Sequence, residues 1–504
     1  MMTRPTPTVV AALFDAPPSW HGKILYLTRA GGQTYGEARR DMLLAGGWLS
    51  REHGIGPRRR VCMCLPKGPL AASVMLGTMA AGACYVPLEF NGPFDRQIAI
   101  LDQAAPHLLV TTPALARRFA ASRSGEIHCP VVTVEEGGFP AAKPLVRPVD
   151  VDGAAPAVIF FTSGSTGTPK GIVASRRSMA ETVARSRAVL SLSDDDRILF
   201  HPPLHYSGSI TLFEPLYVGC TTFILSDQEA LFPDVVAAII EKLGITVWQG
   251  AASFLRALVD GGNLERRELS SVRFFDFFGE RLPVPIVERA QRHFPKAHFS
   301  NTYGASEAFW MSRYDVPRPL GAMAELPIGK PYDAFKLSLL DAGGHEVEAG
   351  EMGEICVEGP VLLDSYWQDP EATRAARLNG NPNSFRTGDL ARRDEAGNLV
   401  FLGRRDLQVK VRGHRFELEE IEQVLASCPG VTDAVASAIE GGTAAEIRAA
   451  VVCGSREGLA DRIVSYCAQK LPRFARPARL LFLDALPRLP SGKIDRLAIQ
   501  RLLV

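Results

Sequence analysis

The sequence predicts an α/β protein. It has a large N-terminal domain of βα-type sheets with a small barrel-like β subdomain, and a small α+β C-terminal domain. Three observations predict it. Up to about residue 260, short apolar runs alternate with helix-like segments, the pattern of βα units and parallel sheets. From Lys336 to Val361 the pattern changes to short strands punctuated by glycine, as in an antiparallel or barrel-like insert. After Asp406 comes a segment of about one hundred residues with its own strands and helices, the size of a separate domain. The expected domains are therefore 1–405 and 406–504.

The elements follow in order. RRVCMCLP and ACYVPL read as buried strands, with PLAASVMLGTMAAG between them as an apolar helix. HLLVTT, AVIFFTS and TTFILS are further strands. FKLSLLD, HEVE and GEICVEG form the insert. AVASAI, IRAAVVC and RLLFLD are strands of the last segment, and ELEEIEQVLAS and LADRIVSYCAQKL are its helices. No internal repeat or low-complexity tract interrupts them.

A chain of 504 residues is longer than one hydrophobic core usually serves. At 46% hydrophobic and 22% charged it has an ordinary globular composition. A net charge of +1 argues against a nucleic-acid surface or a polybasic membrane patch. Arg58–Arg60, a short basic run, reads as a solvated loop. The nine cysteines are scattered, and Cys62 and Cys64 have no second pair at zinc-ligand spacing, so they read as buried thiols in a reducing compartment. There is no signal-peptide h-region and no run of 18 apolar residues, so a cytoplasmic protein is expected. The chain stops eight residues after Arg496, which leaves no room for an appended domain.

The chemistry starts at FFTSGSTGTPKGI, Phe160 to Ile172. Glycines let backbone N–H groups turn inward, hydroxyls add donors, and the single lysine adds a positive charge for phosphate. A P-loop does not fit. Counting from Gly164, Pro169 falls where its second glycine belongs, and Gly171 follows Lys170 where Ser or Thr is required. A flexible linker is the plain alternative, but Phe160-Phe161 before the loop and one lysine closing it speak against that.

With its other motifs the sequence resembles the adenylate-forming enzymes: acyl-CoA synthetases, peptide-synthetase adenylation domains and luciferases. ACYVPL, FTSGSTGTPKG, NTYGASE, GEICVEG, RTGDL, GRRDLQVKVRGHRFELEEIE and LPSGKIDR occur in the family's order. The last two are most similar to the peptide-synthetase branch.

The resemblance implies ATP-dependent activation of a carboxylate as an acyl-adenylate, with Mg²⁺, and transfer of the acyl group to a thiol. It implies roles for residues. Thr162, Ser163, Gly164, Ser165, Thr166, Gly167 and Lys170 would cradle phosphates. Gly279 and Glu280 would lie beside adenine, and Tyr303 would stack on it. Asn301, Gly304 and Ser306 belong to the same nucleotide motif, with the Ser306 hydroxyl contacting phosphate. Glu307 would hold Mg²⁺, since a hard oxygen ligand suits that ion. Asp389 would take both ribose hydroxyls, with Arg404 beside it. Lys493 would bridge the carboxylate and the α-phosphate. Between the half-reactions the small domain would turn on a hinge at Asp406, withdrawing Lys493 and bringing Gly413 to the pantetheine channel.

The acid is read from FHPPLHYSGSITLFEPLYVG. Members that activate α-amino acids have an Asp here as counter-ion; this chain has His205-Tyr206, and a tyrosine leaves a buried ammonium unpaired. The expected substrate is a small or aryl acid without a conventionally held α-amino group. His205 would gate the pocket or contact the carboxylate. Ser207, Ile210, Gln249, Phe278, Thr302, Trp310 and Met311 align with pocket walls, and Phe278 and Trp310 take up the room of a long tail. Asp276 either faces solvent, caps a turn, or meets a substrate cation as for a β-amino or aromatic amino acid. The acceptor is expected to be the phosphopantetheine of a separate carrier protein, with free CoA as the alternative. Oxidation of the adenylate, as in luciferases, is a further outcome. A non-catalytic nucleotide-binding paralogue would be expected to lack Lys493, Glu307 or Asp389, and all three are present.

Overall fold

The computed structural model describes residues 6–121, 127–135, 138–139, 142–162, 169–321, 323, 325–362, 364–405, 408–411, 414–440, 445–487 and 494–504. The alternating strands of the first part sort into two mixed sheets. In the nine-stranded sheet Ile24–Thr28, Thr221–Ile224, Arg197–Phe200, Val247–Gly250, Phe274–Phe277 and His298–Ala305 run parallel, and antiparallel strands close both edges. In the seven-stranded sheet Pro156–Thr162, Cys84–Pro87, Arg60–Cys64, Leu108–Thr111 and Val131–Thr133 are parallel, flanked by antiparallel Lys170–Ser175. The central strands are continuous apolar runs because both faces of each sheet are covered. One core cluster joins them, from Tyr26 and Tyr85 to Phe160 and Phe213.

The helices start where the sequence offers caps. Thr34 accepts from the Glu37 N–H while Glu37 returns a bond to Thr34, opening the helix Tyr35–His53, which ends at Gly54 with φ 64°. The expected helix after RRVCMCLP runs Pro69–Ala80.

The glycine-punctuated insert is a four-stranded antiparallel sheet: Lys336–Leu340, Gly353–Glu358, Ser384–Arg393 and Leu399–Arg404. HEVE, expected as a strand, makes only an isolated bridge between Leu340 and Glu346. The last segment holds the hairpin Gln408–Val411/His414–Glu417 and a three-stranded sheet, Val431–Glu440, Ala445–Cys453 and Arg479–Leu483. The helices Leu418–Ala426 and Leu459–Lys470 share its apolar core. All nine cysteines are free and seven are buried. Among the described residues no helix is long and apolar enough to cross a membrane.

Candidate active site

A cleft opens at the C-terminal ends of the parallel strands, where open α/β sheets bind ligands. Tyr206, Ser207, Phe278, Gly279, Gly304, Ser306, Trp310, Asp389 and Arg404 line it together with Gly208, Ala305 and Phe309. Nine residues predicted from separate motifs thus meet in one place. Gly208, Ala305 and Phe309 were not predicted.

Gly304 is required by geometry. The pair His298–Ala305/Phe309–Val316 shifts register between Tyr303 and Gly304, and a Cβ on Gly304 would stand 1.6 Å from the Phe309 carbonyl oxygen. Phe309 itself has φ 47°. At the mouth the Ser207 and Ser306 hydroxyls are 2.9 Å apart.

Asp389 and Arg404 face each other across the strands Ser384–Arg393 and Leu399–Arg404. Arg404 Nη1 donates to Asp389 Oδ1 at 2.6 Å and to the Thr387 carbonyl at 3.0 Å. The Tyr303 hydroxyl donates to Asp389 Oδ2. A carboxylate has about four lone-pair sites, so two remain for further donors. Tyr303, expected on adenine, is 5% exposed and packs with Met311 and Ile355, with its hydroxyl on Asp389.

Other predictions resolve differently. Ile210 and Met311 are core residues rather than cleft walls. The Asn301 amide donates to the Pro327 carbonyl at 2.7 Å, and Glu280 accepts from the Ser253 N–H at 2.8 Å. Both therefore shape the backbone around the cleft. Asp276 neither faces solvent nor caps a turn. It is 3% exposed on the strand Phe274–Phe277, and its Oδ1 accepts from Ser300 and Thr302, each at 2.6 Å. Burial pushes its carboxyl up. Register sets Gln249, Asp276 and Ser300 side by side, and strand alternation puts them on the same sheet face as Phe278, one layer below the cleft.

Sequence reasoning missed Glu214, which completes that layer. It is fully buried in the 3₁₀ stretch Ser207–Tyr217, where Ser186 donates to one oxygen and Gln249 Nε2 to the other at 2.6 Å. Gln249 Oε1 is buried without a partner. Burial pushes Glu214 up to about 8, and nearby Asp276 adds to this. Between the ordinary 4.5 and about 8, the folded chain keeps a proton that the unfolded chain has released, so this group's contribution to stability falls as pH rises through that window. Glu214→Gln is expected to remove this dependence. Its unfolding free energy from urea titration should gain on wild type between pH 5 and 8 by on the order of 1–4 kcal/mol, and a difference that stays constant with pH would refute it.

At the phosphate end, Thr162 pairs with Lys170 across the strands that bracket the glycine loop. Lys170 Nζ lies 4.5 Å from the Tyr366 ring centroid, and the Tyr366 hydroxyl donates to Glu307 at 2.9 Å. Tyr366, also missed, thus joins the lysine to the buried carboxylate. Among the described residues no group of three or more His, Cys, Asp or Glu could hold a metal. Glu307 alone could supply one hard carboxylate oxygen, and Mg²⁺ is an ion that commonly completes its shell with phosphate and water oxygens. Ser163, Gly164, Ser165, Thr166, Gly167, Asp406, Gly413 and Lys493 lie outside the described residues.

A second pocket meets the first at Tyr206 and Ser207. Its walls are Pro87, Glu89, Arg96, Ile100, Phe160, Phe161, Thr162 and His205 from the large domain, and Phe416 and Phe474 from the C-terminal segment. His205 is lowered to about 4, first by burial and then by the Arg96 charge, so it presents a neutral imidazole at pH 7.

The comparisons with known proteins agree with this geometry. Residues 16–367 match the model for the AMP-binding enzyme and residues 420–493 that for the AMP-binding enzyme C-terminal domain. An L-proline–[L-prolyl-carrier protein] ligase of Streptomyces coelicolor is 31% identical over 92% of this chain and 90% of its own length. A dimodular nonribosomal peptide synthase of Bacillus subtilis is also 31% identical, but the chain spans only 19% of it. The amide bond synthetase McbA of Marinactinospora thermotolerans superposes with a TM-score of 0.87 at 26% identity, over 98% of this chain and 99% of that one. A peptide-synthetase protein containing adenylation and PCP domains superposes at 0.83 and 26% identity, over 99% of this chain and 84% of that one. The chain belongs to the AMP-binding enzyme family, the adenylate-forming ligases that work with ATP and Mg²⁺.

Proposed function

We propose that this ligase activates a small carboxylic acid and passes it to the phosphopantetheine thiol of a separate carrier protein. The observation that carries this reading is the junction of cleft and channel at Tyr206 and Ser207. An acyl group held in the cleft against Phe278 and Trp310 would meet a thiol arriving along the second pocket at that point. The prolyl-carrier ligases, relatives of similar length, support a carrier over CoA.

In the first step a carboxylate oxygen bonds to the α-phosphorus of ATP and pyrophosphate leaves. In the second the thiol sulfur bonds to the acyl carbon, the thiol proton is released and AMP leaves. Asp389 and Arg404 would orient the ribose, Ser306 the phosphate, and Lys170 would offset charge at the loop. A bound Mg²⁺ held by Glu307 would neutralise phosphate charge. Neutral His205, on the pocket wall, would offer the incoming thiol a hydrogen-bond partner, and the thiol proton would leave to solvent, because an imidazole lowered to about 4 is a weak base. Phe278 and Trp310 meet edge to face with centroids 5.9 Å apart, so together they form one bulky wall that favours a flat or short acyl group over a long tail.

Asp276 favours a second substrate class. A buried carboxylate beneath the acyl site, bonded by hydroxyls, is placed to receive an amine at the far end of the acid. Substrate-dependent ATP–pyrophosphate exchange over α-amino, β-amino, aryl and short aliphatic acids separates the two. Exchange with aryl or short aliphatic acids and none with α-amino acids is expected. Asp276→Asn should leave kcat/KM for an amine-free acid within about threefold. Exchange confined to amino acids, lost in Asp276→Asn, would replace the first class by the second.

A further inference from the structure

The channel is closed on one side by residues that lie more than two hundred positions away in sequence, and the seam between the two parts is charged. Arg96, near the start of the helix Phe94–Ala104, forms an ion pair with Glu420 on Leu418–Ala426. Both side chains are nearly buried, 13% and 8% exposed. The same guanidinium lies over the Phe416 ring at 5.4 Å. Beside this pair Lys470 Nζ meets Asp95 Oδ2 at 3.3 Å, at the exposed edge of the seam. Phe416 and Arg96 are both channel walls.

We propose that Arg96 and Glu420 form a latch, a pair of positioning residues that holds the C-terminal domain over the channel and so favours acyl transfer without serving acid activation. This rests on the two-step reading above. The physical reason is the balance of a buried ion pair. Desolvating both charges costs nearly as much as their attraction returns, whereas removing one partner leaves the other buried and unpaired. Glu420 uses one oxygen on Arg96, and its Oε2 is buried without a partner among the described residues. The pair is therefore under-satisfied in the closed arrangement, and both charges regain water when the domain swings away. A contact so close to even holds the domain in place and still lets it leave. A purely apolar seam of the same area would hold it shut.

The test uses the full chain, an acid that supports pyrophosphate exchange, and free pantetheine as the thiol probe. Glu420→Gln should leave ATP–pyrophosphate exchange within about twofold and lower kcat/KM for pantetheine about tenfold or more. Lys470→Glu sets like charges at the exposed edge and should act in the same direction, more weakly, with little risk to folding. Hydrogen–deuterium exchange should speed up in Phe94–Ala104 and Leu418–Ala426 while the strands Val431–Glu440 and Ala445–Cys453 keep their protection. Equal loss in both half-reactions, or unchanged transfer and protection in both variants, would overturn the latch. A wild-type enzyme that exchanges pyrophosphate but acylates neither pantetheine nor a holo carrier would overturn the acceptor reading instead. The protection of the two helices would then decide the latch by itself.

Discussion

Lys493→Ala is expected to lower substrate-dependent ATP–pyrophosphate exchange by about 10²–10³-fold while ATP binding stays close to wild type. The first step brings two anions together, the acid's carboxylate and the α-phosphate. Fixed positive charge between them acts on the transition state more than on bound ATP, so kcat falls and the nucleotide KM moves little. Lys493 sits in LPSGKIDR, close to the chain's end, and its role comes from the motif. Chemically made acyl-adenylate supplied to the variant should still be transferred to a thiol, because the role the motif gives Lys493 belongs to the first step, which that adenylate bypasses. Pyrophosphate release at the wild-type rate would overturn the role. Loss of ATP binding in equilibrium titration would reassign the lysine to the ground state.

Much of this was legible because the motifs place residues on strand ends. NTYGASE and RTGDL each lie on a strand entering the cleft, and Gly304, Ser306 and Asp389 came with them. Side-chain direction was not legible: that the Tyr303 hydroxyl reaches Asp389 follows from the fold, not from the motif. Ile210 and Met311 are apolar residues whose spacing cannot distinguish a pocket wall from a core contact. Asp276 shows the opposite limit. Its neighbours Phe275 and Phe277 marked it as unusual, but Ser300 and Thr302, which receive it, come from the next strand. Glu214 looked like one polar residue in an apolar stretch, and only the fold brings Ser186 and Gln249 to it. Arg96 and Glu420 carry no local signal because their meeting depends on how two domains dock.

Asp389 should combine the largest loss of stability with loss of nucleotide binding. Its side chain, 2% exposed, holds the Arg404 guanidinium, 10% exposed, and the buried Tyr303 hydroxyl. Asp389→Ala removes the carboxylate acceptor from a nearly buried cation, which keeps its bond to the Thr387 carbonyl, and from a buried O–H, a loss of about 3 kcal/mol. Asp389→Asn keeps the shape and one acceptor oxygen for Arg404, and the Tyr303 hydroxyl can turn to accept from the amide. It should cost about 1–2 kcal/mol. For ATP the ordering changes. Both variants lose the charged acceptor of the ribose hydroxyls, so both should raise the ATP KM by about tenfold or more. Urea unfolding separates the variants, and exchange kinetics at saturating acid does not. Equal destabilisation of the two would mean that Arg404 and Tyr303 do not depend on the carboxylate. An unchanged ATP KM in the Asn variant would show that the cleft takes the ribose elsewhere.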